Sequence, residues 1–265
     1  SNTKKKKKKV KMSIMDSIRE LSKSKYVMYI AILVLSYGIM INFFETVWKE
    51  QLRASLIADG LSKEALRPAF MKKMSQYTFY TGVFTIVLNY LSKDTVRVLG
   101  WFTGAAFTPI VCTVTSLLFM LYTINTGMLD PLLLTMGLSS GFIVVFGMYG
   151  VILTKSSKYA FFDPTKEMSF IPISDSLRTS GKAAVDGVGA RLGKSGGGLI
   201  QIFISSMLSL YTGSAVNAID IAPYLIILLL LLGSAWLYSV FNLNTLYLKA
   251  VAEEDKGPDA EAITS

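Results

Sequence analysis

The chain has 265 residues, 52% of them hydrophobic and 17% charged, with a net charge of +9 and no histidine. That balance leaves too few polar side chains to cover a water-soluble globule, so soluble folds are excluded. The single cysteine, Cys112, forms no internal disulfide, and without histidine the common zinc sites and histidine-based catalysis are missing, so neither a cofactor nor a metal is expected.

Residues 1–25 hold Lys4–Lys9, Lys11, Arg19, Lys23 and Lys25. A lysine run beside a spanning helix fixes orientation or touches anionic lipid, so the expected partner is the bilayer and not nucleic acid. Six apolar stretches follow: Tyr26–Val47, Tyr77–Leu91, Val98–Ile124, Leu132–Thr154, roughly Ala183–Thr212, and Pro223–Leu246. Most reach the ~20 residues that a spanning helix needs; the second is short and the fifth carries several charges. The first is no signal peptide, because it lies behind a long basic stretch, lacks a convincing cleavage site and begins a repeating series. The expected fold is an all-α integral membrane protein with about six transmembrane helices over 26–249, an amphipathic cytoplasmic loop near 155–180, and a disordered acidic tail over 250–265.

Cations in short loops are retained on the cytoplasmic side. Of the 27 Lys and Arg residues, six (Lys49, Arg53, Lys63, Arg67, Lys72 and Lys73) fall in the first outer loop and 27 − 6 = 21 fall on the side of the N-terminal segment. Both termini are therefore expected to be cytoplasmic.

Charges inside spans are costly unless they face water or a partner, which makes them the candidate functional positions. Glu45 lies near the outer end of the first span, with Lys49 four residues on as a possible interfacial partner. The segment GKAAVDGVGARLGKSGGGLIQ (181–201) combines Lys182, Asp186, Arg191 and Lys194 with small residues at Gly181, Ala184, Gly187, Ala190 and Gly193, which suit close helix packing. A helix starting near Gly181 carries Lys194 about 20 Å along its axis, well into the bilayer; a helix starting only at Gly196 leaves all four charges in a loop. Gly193–Lys194–Ser195 is not a phosphate loop, since the glycine required five residues earlier is Val188 and no strand precedes it. What remains is chemistry suited to an anionic ligand such as phosphate. In KSSKYAFFDPTKEMSFIP (155–172), Asp163–Pro164 signals a helix start and Ile171–Pro172 a stop. The expected short helix rests Phe161, Phe162, Met168 and Phe170 on lipid or protein, and Lys155, Lys158, Lys166 and Glu167 either form a gate or belong to an ordinary basic loop.

At these segments, SKYVMYIAILVLSYGIMINFFETVWKEQL (24–52), KSSKYAFFDPTKEMSFIPI (155–173) and GKAAVDGVGARLGKSGGGLIQ, the sequence resembles the nucleotide transporter family. These are the ATP/ADP translocases of obligate intracellular bacteria, such as chlamydiae and rickettsiae, and of plant plastids. The resemblance implies a six-helix bundle like the C-terminal half of a major-facilitator-like transporter, no enzymatic activity, and a bacterial cytoplasmic (inner) membrane. The chain begins without methionine and matches only the second half, so its lysine run is expected to be the connection between halves. Implied partners are ATP, ADP or other nucleotides, phosphate as a possible co-substrate, and an N-terminal six-helix half or a second copy. Within the family, a glutamate and a lysine at the positions of Glu45 and Lys194 are regarded as important for transport. Lys194 is then expected to bind phosphate oxygens, with Arg191 and Lys182 assisting. Asp186 either holds Lys182 or neutralises the helix when the cavity is empty, and Lys155, Lys158, Asp163, Lys166 and Glu167 form a gate or cytoplasmic mouth. The expected function is ATP/ADP exchange; the alternatives are proton-coupled nucleoside phosphate import, with Glu45 as proton carrier, and a half-length membrane subunit without transport activity.

Overall fold

Helix α1 (Lys25–Ala58) begins where Ser24, in extended backbone, accepts a hydrogen bond from the Val27 amide. Its residues are apolar nearly all round, and such a helix lies in the middle of a bundle: Ile30, Met40, Phe43, Phe44, Val47 and Trp48 are fully buried. The structure, a computed structural model, describes residues 19, 21–136 and 141–255. Six further α-helices follow: α2 (Lys63–Ile124), α3 (Thr126–Thr135), α4 (Phe142–Ser157), α5 (Asp163–Ser169), α6 (Asp175–Thr212) and α7 (Ala222–Asp255), with a π-helical turn at Lys158–Phe162 joining α4 to α5. No strand occurs among the described residues.

Helix α2 is two arms, not one rod. Gly100 has φ +82° and ψ 172°, the left-handed side of the map that favours glycine. A methyl group on Gly104 would lie 2.6 Å from Val96 Cγ2, although eight residues of straight helix would separate these positions by about 12 Å. The chain therefore folds back at Gly100, and arms 63–99 and 101–124 lie side by side. Residues 92–97, the gap between the apolar stretches Tyr77–Leu91 and Val98–Ile124, stay helical, because one glycine suffices for the reversal.

Polar groups at the helix ends fix how the elements register. The Tyr26 hydroxyl donates to Ser169 O at 2.6 Å, Trp101 Nε1 donates to Thr165 O at 2.8 Å, and Trp101 stacks on Tyr247 with ring centres 5.1 Å apart. The start of α1, the turn at Gly100, the end of α5 and the end of α7 thus share one end of the bundle. Toward the other end, Trp48 Nε1 donates to Val144 O at 3.0 Å and Tyr122 packs on Phe142. Helix α1 packs on α6 and α7, and α2 on α4 and α7.

Among the described residues, α1, α2 and α7 are long and apolar enough to cross a membrane by length and composition. With α2 counted as two arms, and with α4 and α6 running between the same two ends, six helical rods make up the bundle among the described residues. The chain is an all-α membrane protein. Three boundaries differ from the sequence reading. The apolar run expected as one span over Leu132–Thr154 is shared between α3 and α4, because uniform hydropathy does not mark where such a run is cut. The region around 155–169 continues α4 through the π turn, and Phe161, Phe162 and Phe170 are buried in protein and do not face lipid. Helix α6 begins at Asp175, so Lys182, Asp186, Arg191 and Lys194 are all at helical positions and the alternative start at Gly196 is ruled out. Of the expected basic segment 1–25, residues 1–18 and 20 lie outside the described residues; of the expected tail, 250–255 belong to α7 and 256–265 lie outside them.

Candidate functional site

A cavity of about 470 Å³ opens between α1, the α4–α5 rod and α6. Helix α1 contributes Tyr37, Gly38, Ile41, Asn42 and Glu45; the rod contributes Lys155, Lys158, Tyr159, Phe162, Asp163 and Lys166; α6 contributes Asp186 and Gly189. Six residues singled out from the sequence (Glu45, Lys155, Lys158, Asp163, Lys166 and Asp186) therefore line one space.

Glu45 is the most heavily engaged of them. Its carboxylate forms an ion pair with Lys155, a second with Lys49 at 3.3 Å, and accepts a hydrogen bond from the Tyr77 hydroxyl at 2.8 Å. The Lys155 ammonium also lies 5.2 Å from the centre of the Tyr77 ring. Three elements, α1, the first arm of α2 and α4, thus converge on one carboxylate.

Lower on the rod, the π turn brings Lys158 and Asp163, five residues apart, to a 2.6 Å ion pair. Single π turns are frequent at functional sites, because the wider turn re-aims side chains and frees carbonyls. Here the Thr108 hydroxyl, on the second arm of α2, donates to Ser157 O at 3.0 Å where the turn begins. Lys158 also lies over the rings of Tyr159 and Tyr37 at 4.5 and 5.8 Å. Lys166 is 3.3 Å from Glu167.

Of the two roles expected for Asp186, holding Lys182 is not the one in the structure. Lys182 forms its ion pair with Glu167 across the gap between α6 and α5, where Lys182, Glu167 and Arg178 line a separate cleft. Asp186 faces the main cavity and has no ion-pair partner among the described residues. Helical spacing made Lys182 and Asp186 neighbours, but the closeness of α5 offered the lysine a carboxylate that the sequence did not reveal. Arg178 closes the α5–α6 connection by donating to the carbonyl oxygens of Phe170, Ile171 and Ile173. Arg191 and Lys194 are at helical positions of α6; their side chains lie outside the described residues.

The opposite wall is a seam of close contact between α1 and α6. Methyl groups on Gly38, Gly189 and Gly197 would lie 2.7 Å from Gly193 Cα, 2.1 Å from Val34 and 2.8 Å from Asn42. The seam therefore uses Gly189, Gly193 and Gly197 at four-residue spacing, together with Gly181 on Val27. Of the small residues singled out from the sequence, Gly181 and Gly193 belong to the seam, and Ala184 is fully buried. Above the seam, Gln201 Nε2 donates to Asn42 Oδ1 at 2.7 Å.

Sequence reasoning missed Tyr77, Asn42 and Tyr159. Tyr159 stood between two lysines already noted, and Asn42 one helical turn before Glu45; Tyr77 offered no signal short of the fold. Among the described residues, no group of His, Cys, Asp and Glu side chains could hold a metal ion.

Apolar rods around paired charges define a polytopic membrane protein with a polar cavity. The chain belongs to the TLC ATP/ADP transporter family, whose model matches residues 1–247. This is a family of transporters, not of enzymes. The chain is 37% identical over 259 residues to the ADP,ATP carrier protein 1 of Chlamydia pneumoniae, an alignment covering 94% of this chain and 47% of that protein. It is 33% identical over 256 residues to the ADP,ATP carrier protein 1 of Rickettsia conorii, covering 96% and 49%. With the chloroplastic ADP,ATP carrier protein 1 of Arabidopsis thaliana the identity is 34% over 266 residues, covering 100% and 40%. The chain thus spans about half the length of the curated relatives it matches. No solved structure matches it.

Proposed function

We propose that this chain supplies one six-helix half of a membrane nucleotide transporter that exchanges ATP for ADP across a bacterial cytoplasmic membrane, with both ends of the bundle's chain on the cytoplasmic side. The names of its relatives support the substrate, and the half-length match supports a partner: an N-terminal six-helix half or a second copy. The observation that carries the mechanism is the Glu45 carboxylate held between Lys155 and Lys49.

The cavity's cations are occupied by the chain's own carboxylates, Lys155 by Glu45 and Lys158 by Asp163. A nucleotide brings phosphate oxygens that satisfy the same ammonium groups. Binding then releases carboxylates from one wall and frees them for cations of the other half, which turns substrate binding into a change of shape. Without a nucleotide, separating these pairs inside the membrane would leave charges unpaired, a barrier that favours exchange over return of an empty carrier. Lys194 binds phosphate, assisted by Arg191. Lys182, tied to Glu167, works at the cytoplasmic mouth with Lys166, and inorganic phosphate is the smaller co-substrate that this chemistry admits. Two lysines and a tyrosine around Glu45 favour an ion-pair switch over proton carriage at that residue.

The test is nucleotide uptake by vesicles containing this chain with and without a first-half partner, in native form and as Glu45→Ala and Lys194→Ala. Uptake that requires the partner and is lost in both variants is expected. Undiminished uptake in both variants would remove the site assignment.

A further inference from the structure

The charged wall accounts for phosphate but not for the base of a nucleotide. A purine in a membrane cavity needs an open aromatic or apolar face, and stacking on an aromatic ring is the usual solution.

Four aromatic side chains line the main cavity or the cleft beside it, where the first arm of α2 meets α4: Tyr37, Phe162, Tyr77 and Tyr159. Three are already used. Tyr37 and Phe162 stack on each other, with ring centres 5.7 Å apart and planes at 23°, and both meet Trp236 edge-on. Tyr77 packs against Trp48 at 5.0 Å and is buried, with its hydroxyl on Glu45. Tyr159 alone among the four is an exposed residue, at 48%, with the Lys158 ammonium over one face of its ring and, among the described residues, no other aromatic ring packed on it.

Its position is as telling as its exposure. Tyr159 and Lys155, one helical turn apart, are the two residues that line both clefts. They form the ridge between the clefts, and Lys158 adds its ammonium 4.5 Å from the centre of the Tyr159 ring. An open aromatic surface between two lysines matches a ligand that joins a flat ring to a polyanion. It does not match a bare phosphate, which needs no ring, or a nucleoside, which needs no cations.

We infer that Tyr159 is the platform on which the nucleobase stacks, while the phosphates reach the lysines beside it. Tyr159 is thereby the residue of this half that separates nucleotides from other polyanions. The inference rests on the nucleotide-transport reading given above.

The experiment measures equilibrium binding of ATP and of inorganic tripolyphosphate, which has the phosphates without the base, to the full chain in lipid nanodiscs. Native protein, Tyr159→Phe and Tyr159→Ala are compared. Loss of one base stack corresponds to a drop in affinity of about 5- to 150-fold. The expected result is that Tyr159→Ala loses ATP affinity in that range and keeps its affinity for tripolyphosphate, whereas Tyr159→Phe, which retains the ring, binds both as the native chain does. Equal losses for both ligands in Tyr159→Ala would make the ring a support for Lys158 and overturn the inference; so would unchanged ATP binding. Native chain that binds neither ligand, alone or assembled with a first-half partner, would overturn the transport reading itself and the inference with it, an outcome distinct from a variant that matches a binding-competent native chain.

Discussion

Helix α1 faces two walls built on opposite principles. Toward α6 it is close, with Gly38 against Gly193 so tightly that a methyl group would fall 2.7 Å from the opposing backbone. Toward α4 and α5 it borders a polar cavity and joins the far side through the Glu45–Lys155 ion pair. Packing without side chains has no alternative arrangement of similar energy, whereas paired charges can trade partners. In the exchange mechanism proposed above, the close interface is the frame and the charged one the moving part: α1 and α6 shift as one body, and the charged wall opens and closes against it.

The largest effect is expected at the seam. Gly38→Leu should destabilise the bundle by about 3 kcal/mol or more, because backbone that must separate cannot relax around the new atoms. Thermal unfolding in detergent checks this, with Gly196→Ala as its counterpart, since a methyl group there meets open space and should leave stability unchanged or slightly raised. An equal response at both positions would erase the distinction between the walls.

A smaller effect is expected on the charged side. In a double-mutant cycle for stability, Glu45→Ala and Lys155→Ala should show a coupling of about 1–3 kcal/mol, the range for contacting residues in one partly buried network. The smallest effect belongs to Lys182 and Glu167, whose side chains are 44% and 47% exposed. The same cycle should give less than about 1 kcal/mol for that pair. A Lys182–Glu167 coupling as large as that of Glu45–Lys155 would move the centre of the charged wall to the mouth of the cavity.

Much of this architecture was legible in the residues. Runs of apolar sequence marked the crossings, the cost of charge in a membrane singled out Glu45, and the helix-start signal at Asp163–Pro164 drew attention to the lysines at 155, 158 and 166. The remainder depends on distances between helices that no local pattern encodes. Hydropathy could not show that the chain reverses at Gly100 while remaining helical on either side, or that Lys155 and Lys158 belong to a rod continuing from α4. Spacing along α6 offered Asp186 to Lys182, and only the closeness of α5 supplied Glu167 instead. The glycine-rich stretch announced close packing, but which residues its glycines meet, Val27, Val34, Gly38 and Asn42 of α1, depended on the fold.

In the proposed exchange, Glu45 competes with phosphate for Lys155, and this competition decides the mechanism. It is tested most directly by measuring ATP affinity and ATP/ADP exchange in Glu45→Gln, which removes the charge and retains the shape. Removing the competitor should tighten ATP binding by about tenfold, equivalent to ~1.4 kcal/mol, while exchange slows because the released wall has no carboxylate to pass to a new partner. ATP binding that weakens in step with exchange would contradict the account and make Glu45 a direct ligand of the substrate.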